Sequence, residues 1–331
     1  MSNNTKKIPS IDLQAFIHGA LSTRKEIALV VDNICKEVGF LKITNHGIPK
    51  IIIDEAWSAA KNFFDLTSEE KNKYKPINSS SPRGYFPVQS ETLTKSRGII
   101  TPPDLKEAFS CGPLNITKKK LNEFDFFYGE NIWPINPINF KKAWKNYYHA
   151  MEKLSLEIMN LFAHALGLEE SYFNKFYTFH TSALRALNYP PNQHAPLPNQ
   201  QRAGAHTDYG SLTILLPDNT VGGLEVKHQD SNWIPINAEE NTFIVNIGDM
   251  MARWTNDRWV STMHRVITPN QNEGGISKRR QSIAYFQNPN FDAEISCLST
   301  CLSDGLSPKY QSIKAGNYLM GRFQSAIEKR Y

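Results

Sequence analysis

The residues with the most chemistry in them are His206-Thr207-Asp208, followed by His264 and then by Arg280-Gln281-Ser282. Two imidazoles and one carboxylate can occupy one face of an octahedral Fe(II), leaving three adjacent positions for a co-substrate and O2. Side chains alternate along a strand with period 2, so His206 and Asp208 are expected to project from one strand face and grip one ion. The third ligand must come from a strand brought alongside. Ser261–Val266 reads as that strand, with Thr262, His264 and Val266 on one face. Arg280 and Ser282 obey the same rule, so a guanidinium fork and a hydroxyl can hold one carboxylate between them. A dicarboxylic keto acid would then meet iron through its keto-acid end and this clamp through its far end. The plainer reading makes Arg280 a surface charge in the basic run Lys278-Arg279-Arg280. An isolated His-x-Asp is weak as a signal; the ordered set is what carries specificity.

These residues need a rigid frame. After about residue 182 the pattern is one of short strands separated by turn residues: Ala183–Tyr189, Ser211–Leu216, Gly223–Val226, Asn241–Asn246, Val260–Ile267 and Gln281–Phe286. Many short strands with Gly and Pro turns imply a sandwich or barrel. The first half alternates helices with short strands. Thr23 and Glu26 form a candidate capping box ahead of Ile27, Val30/Val31, Ile34 and Val38 at helical spacing. A second helix is expected over about 50–64, with Thr67 and Glu70 capping a third, short one. Trp144, Tyr147, Met151, Leu154, Ile158, Leu161 and Ala165 alternate steps of three and four, which predicts a long amphipathic helix stopped near Gly167. That stripe is a core face, and His149 and His164 on it read as packing or surface histidines. The Ser-, Pro- and Asn-rich stretch from about 78 to 135 reads as loops with short strands over the mouth of the site.

Composition adds limits. With 331 residues and 40% apolar side chains the chain can bury a sizeable core. The net charge of +5 is spread thinly, and its one dense run, Lys118-Lys119-Lys120, reads as a solvated loop or helix end, so no nucleic-acid partner is expected. Cys35, Cys111, Cys297 and Cys301 lack zinc or redox spacing and are expected as unpaired thiols. Residues 1–7 lead into no apolar stretch, so neither a signal peptide nor a membrane span is expected, and the cytoplasm is the default.

Further segments join the metal motif in a family resemblance. They are Ile8–Leu13, Gly39–Pro49, Phe63–Leu66, Gly84-Tyr85, Asp104–Phe109, Leu187–Pro191, Ala203–Gly210, Gly222–Val226, Asn246–Asp249 and Ser261–Val266. In these the chain resembles the isopenicillin N synthase-like branch of the Fe(II)/2-oxoglutarate-dependent dioxygenases over nearly its whole length. The resemblance implies His206, Asp208 and His264 as iron ligands, with Arg280, Ser282 and Tyr189 on 2-oxoglutarate. It implies an enzyme that uses Fe(II), 2-oxoglutarate and O2 to hydroxylate, desaturate or cyclise a small molecule, releasing succinate and CO2, in specialised metabolism. Two readings stand beside it: an oxidase of the same fold that closes a ring without 2-oxoglutarate, and, remotely, a non-enzymatic jelly-roll protein that keeps a metal. The fold expected is a double-stranded β-helix (jelly-roll) core with flanking α-helices. It forms a single domain and a monomer, with a mixed helical portion at 1–180, the jelly-roll core at 181–295 and a C-terminal helical segment at 296–331. Two departures from the family pattern are a lengthened connection through Gln271–Ser277 and Leu187 where plant members often carry Asn.

One hint concerns the substrate. On Ala183–Tyr189, period 2 puts Arg185, Leu187 and Tyr189 on one face. If Tyr189 faces the keto acid, Arg185 faces the same cavity, and an inward arginine is costly to bury without an anion. Either a protein carboxylate, Glu225 or Asp249, pairs with it, or it receives a substrate carboxylate and the substrate is an amino acid or another small acid. Phe286, on the face of Arg280 and Ser282, is expected as an apolar wall beside the reacting carbon.

Overall fold

The structure, a computed structural model, describes residues 7–76, 78, 81–115, 126–191, 196–219, 222–268, 278–302 and 307–328. In chain order the strands are β1 (Ser10–Asp12), β2 (Phe40–Thr44), β3 (Gly84–Phe86), β4 (Glu107–Cys111), β5 (Ala183–Tyr189), β6 (Ala203–His206) and β7 (Leu212–Leu216). They continue with β8 (Leu224–Lys227), β9 (Trp233–Pro235), β10 (Phe243–Ile247), β11 (His264–Val266), β12 (Arg280–Gln287), β13 (Glu294–Ile295) and β14 (Ile313–Lys314). The helices are α1 (Leu13–His18), α2 (Leu21–Glu37), α3 (Lys50–Phe64), α4 (Ser68–Asn72), α5 (Phe140–Ala165), α6 (Asp249–Trp254) and α7 (Ala315–Glu328).

Two sheets make the jelly roll. The major one runs β1-β2-β10-β7-β12-β5-β4-β3 and the minor one β6-β11-β8-β9. Strands β2, β10 and β12 are buried along almost their whole length. Burial of successive residues, polar ones included, belongs to a strand covered on both faces. On one side α2, α3 and α5 pack against β2, β5 and β12; the other side faces the minor sheet. β5 instead alternates, with Ala183, Arg185 and Leu187 half-buried and the residues between them buried. One face of β5 is therefore less tightly covered than the other. The N-terminal portion alternates helices with short strands, and its strands β1 to β4 are integral to the major sheet. Among the described residues no helix is long and apolar enough to cross a membrane, and all four cysteines are free thiols.

The helical expectations hold with one correction. α5 buries Trp144, Tyr147, Met151, Leu154, Ile158 and Leu161, and the chain leaves it through Gly167 at φ 70°, a conformation glycine adopts without strain. Thr67 and Glu70 form the reciprocal capping box of α4. Thr23 and Glu26 do not cap α2: that helix starts at Leu21 after Ala20, which makes no side-chain cap. The Thr-x-x-Glu pattern is local, whereas the start of α2 is set by the turn after α1, where Arg24 N already bonds Ala20 O. Lys118–Lys120 and the connection Gln271–Ser277 lie outside the described residues.

Candidate active site

Antiparallel pairing of β6 and β11 sets His206, the last residue of one, directly opposite His264, the first of the other. Their ring centroids lie 4.3 Å apart. Asp208 is beyond the strand, so the expectation of a shared strand face for His206 and Asp208 is corrected, as is the long strand from Ser261. The chain turns away after His206, and the Asp208 carboxylate comes back by another route. Its Oδ1 is 3.8 Å from His206 Nε2 and 3.7 Å from His264 Nε2. Its Oδ2 accepts hydrogen bonds from Thr213 Oγ1 at 2.6 Å and Asn246 Nδ2 at 2.8 Å. Thr213 and Asn246 are register partners on β7 and β10. The third candidate ligand thus belongs to the loop after the minor sheet but is aimed by the major one.

The histidines are aimed as well. His206 Nδ1 donates to Gly204 O at 2.7 Å and His264 Nδ1 to Thr262 O at 3.2 Å, which fixes the tautomer and leaves both Nε2 atoms facing inward. Asp249 braces the surrounding loops, accepting from Thr207, Ser261 and Arg322, while its backbone N–H donates to Asp208 O at 2.7 Å. Close backbone approach makes this possible: a Cβ on Gly248 would sit 2.1 Å from Gly210 O.

Protonation suits a cation. Burial, reinforced by the adjacent His264, pushes the His206 imidazole down to about 3. Burial alone would push the Asp208 carboxyl up, but His264, His206, Thr213 and Asn246 outweigh it and hold it below the usual carboxylate range. A neutral imidazole beside an ionised carboxylate is the state that ligates. One donor atom from each of His206, Asp208 and His264 lies within 4.8 Å of the others. This nitrogen, nitrogen and oxygen set fits Fe(II) with positions left over.

The second group sits on the inner face of the major sheet. Register pairs Arg280 with Tyr189, Ser282 with Leu187, Ala284 with Arg185 and Phe286 with Ala183. Phe286 is also opposite Thr213, so this face looks at the candidate metal-ligand set. Arg280 is 2% exposed. Its Nε donates to Gly222 O at 2.9 Å, its Nη1 to Ser282 Oγ at 3.4 Å, and its guanidinium lies over the Tyr189 ring, 5.0 Å from the centroid. No carboxylate pairs with it among the described residues, so the site holds a buried cation that a keto-acid carboxylate would neutralise.

Arg185 lies on this inner face as expected, but its partner is neither Glu225 nor Asp249. Glu225 pairs with Arg265 and Asp249 with Arg322. Arg185 Nη2 donates to Glu91 Oε2 at 2.6 Å, and its guanidinium covers the Phe86 ring. Lys106 reaches the same Glu91 oxygen at 3.3 Å and Asp104 at 2.7 Å, and Asp104 in turn accepts from Gly204 N on the metal strand at 3.0 Å. Glu91 is a loop residue far away in sequence, which no local pattern could have paired with Arg185. Thr213, Asn246 and Asp249 were also missed as supports. Thr213 alone carried a signal, as the one polar residue in the apolar run Leu212–Leu216. His46, buried against Phe243 and accepting from Ile48 N, is a packing histidine outside the ligand set.

The chain is similar to known proteins over most of its length. Residues 8–136 match the profile of the non-haem dioxygenase in morphine synthesis N-terminal region, and 178–289 that of the 2OG-Fe(II) oxygenase superfamily. A homoarginine-6-hydroxylase of Oryza sativa subsp. japonica is 31% identical over 339 residues, covering 97% of each chain. A proline hydroxylase of Petromyces alliaceus is 32% identical over 315 residues, covering 92% of this chain and 94% of its own. A full-length Neurospora crassa protein, crystallised in complex with alpha-KG, superposes with a TM-score of 0.84 at 31% identity, covering 98% of both chains. JOX2 in complex with 2OG, Fe and JA superposes with a TM-score of 0.76 at 27% identity, covering 97% of this chain and 89% of its own.

Proposed function

The chain belongs to the 2OG-Fe(II) oxygenase superfamily, and from that premise we propose that His206, Asp208 and His264 hold its Fe(II) while Arg280, Ser282 and Tyr189 hold 2-oxoglutarate. When bound, iron supplies the redox chemistry that couples O2 and the decarboxylation of 2-oxoglutarate to succinate with oxidation of a small-molecule substrate. The protein's own residues do the placing. The two Nδ1 donors and the pair Thr213 and Asn246 point the three ligands inward, and the fork of Arg280 with the Ser282 hydroxyl fixes the far carboxylate. The inner face of β5 and β12 excludes water above them.

The observation that carries this reading is a buried Arg280 with which no carboxylate of the described residues forms an ion pair, on the sheet face that looks at the candidate metal-ligand set. It favours the 2-oxoglutarate-dependent reading over an oxidase that dispenses with the keto acid. Arg185, Leu187 and Phe286 are the substrate-facing residues on that face; because Glu91 already neutralises Arg185, a small acid or amino acid would share that guanidinium with it. The hydroxylase names of two relatives are in keeping with such a substrate and with specialised metabolism. Free thiols support a reducing, cytoplasmic setting. Strands β1 to β4 within the major sheet support one folding unit, working as a monomer. The decisive experiment is a screen of small acids and amino acids scored by succinate formed above uncoupled turnover. His264→Ala should erase both signals, and succinate release persisting in that variant would reject the triad.

A further inference from the structure

We infer that Arg279 and Gln281, the chain neighbours of Arg280, are positioning residues for the 2-oxoglutarate clamp: they fasten the start of β12 to α3 and so set where the Arg280 fork points. The inference rests on the assignment of Arg280 as that clamp. Arg280 is the first residue of β12 and lies opposite Tyr189, the last residue of β5. On its other side β12 pairs with β7 only from Ile283 onward. Among the described residues, Arg280, Gln281 and Ser282 therefore have β5 as their one strand neighbour. A segment with fewer contacts opens more readily than the middle of a sheet. A planar guanidinium fork, in contrast, holds a carboxylate only in a narrow geometry. The clamp thus stands on the part of β12 that the ladder holds least.

The side chains on either side of Arg280 supply what the ladder lacks. With Arg280 and Ser282 facing inward, period 2 sends Arg279 and Gln281 to the outer face, where α3 packs. Arg279 Nη2 donates to Lys61 O at 3.3 Å and its Nη1 to Asp65, just past the end of α3. Gln281 Nε2 donates to Trp57 O at 3.0 Å, one helical turn before Lys61. Arg279 Nε also donates to Asn188 Oδ1 at 2.6 Å, and Asn188 is the register partner of Gln281 on β5. Asn188 is held in turn: its Nδ2 donates to Glu107 Oε1 at 2.7 Å, and Lys71 Nζ donates to Glu107 Oε2 at 2.9 Å. A buried ion pair, a helix and a strand thus converge on the two residues that flank the clamp. The candidate iron ligands sit on β6, on β11 and in the loop after β6, and share none of these bonds. Loss of the fastening should therefore be felt at the far carboxylate of the co-substrate and not at the metal.

Anaerobic calorimetry on the Fe(II)-loaded protein tests this, with 2-oxoglutarate and 2-oxobutyrate, which lacks the far carboxylate, as probes. Arg279→Met keeps the apolar stem and removes every donor; Gln281→Met keeps the bulk and removes the bond to Trp57. Arg279→Met should bind 2-oxoglutarate about five- to ten-fold more weakly and Gln281→Met about three-fold, the scale of one net hydrogen bond each. Affinity for 2-oxobutyrate, and for iron, should stay at the parent value in both variants. Parental 2-oxoglutarate affinity in Arg279→Met and Gln281→Met overturns the inference. So does an equal loss for the two keto acids, or a matching loss of iron, because either would mean that these side chains support only the fold. Arg280→Ala in the same series separates the two ideas. If it binds 2-oxoglutarate normally the clamp itself is wrong, whereas a weakened Arg280→Ala beside unaffected Arg279→Met and Gln281→Met removes only the positioning role.

Discussion

Replacing Thr213 by Val should loosen iron without touching a ligand. Thr213 sits on β7, 4% exposed, and Val has nearly its shape, so the strand and its neighbours need not repack. What is lost is the 2.6 Å hydrogen bond to Asp208 Oδ2. A hydrogen bond to a charged, buried acceptor contributes about 1.5–3 kcal/mol. Asn246 still holds the same oxygen at 2.8 Å, so the carboxylate keeps one anchor and can pivot about it. Pivoting moves Oδ1 away from the point it shares with the two Nε2 atoms. The lower end of that range is one decade in affinity, and loss of an outer-shell partner typically costs 10–100-fold. Thr213→Val should therefore bind Fe(II) about 10–30-fold more weakly, read by anaerobic competition with a chelator of known affinity, while Thr213→Ser recovers most of the loss. The thermal midpoint of the metal-free protein should move much less than iron affinity does. Wild-type iron affinity in Thr213→Val would refute the claim that the major sheet aims the third ligand.

Other outcomes follow from the same geometry. Arg280→Ala should raise the half-saturating 2-oxoglutarate concentration by two decades or more, given several kcal/mol for a desolvated charged pair, and an unchanged value would favour the oxidase reading. Ser282→Ala and Tyr189→Phe should each cost about 1 kcal/mol in the same assay. Arg185→Met should abolish productive substrate turnover yet leave iron binding, 2-oxoglutarate binding and uncoupled succinate release near normal; equal turnover of the substrate would reject Arg185 as its anchor. Glu91 offers a pH test. Burial raises its carboxyl, but Arg185 and Lys106 outweigh burial and hold it at about 2. The folded value lies below the unfolded one, so the unfolded chain binds the extra proton between them and stability rises with pH across that window. This contribution is complete above about pH 4.5 and lost as pH falls toward 2. Discounted for the 18% of the side chain open to solvent, it is roughly 2 kcal/mol. Glu91→Gln should lower the neutral-pH unfolding free energy by about that much and flatten the acid limb; an unaltered acid limb would contradict the pairing.

Side-chain type and order were enough for the chemistry. His206, Asp208 and His264 were readable because few other constellations put two imidazoles and a carboxylate ahead of an Arg-x-Ser pair, and α3, α4 and α5 because their caps and stripes are local. Period 2 correctly placed Arg185, Leu187 and Tyr189 together on β5, since β5 is regular from end to end. The same rule misdescribed the metal motif, because β6 stops at His206 and nothing local marks where a strand ceases to pair. It also left Arg185 with the wrong partners: Glu91 lies 94 positions away and reaches it only once β3 and β4 dock beside β5.

The sequence by itself therefore determined which side chains are candidates to hold iron and a keto acid, since that capacity belongs to the side chains. Only the tertiary structure decided how they are aimed. Asp208 points inward because β7 and β10 of the other sheet supply two donors, and Arg202 reaches the carbonyl of Lys278 because the ends of β6 and β12 approach across the jelly roll. Such contacts span sheets that the chain visits at different times. They are fixed by the burial of both sheets together, a property of the whole chain that no short segment encodes.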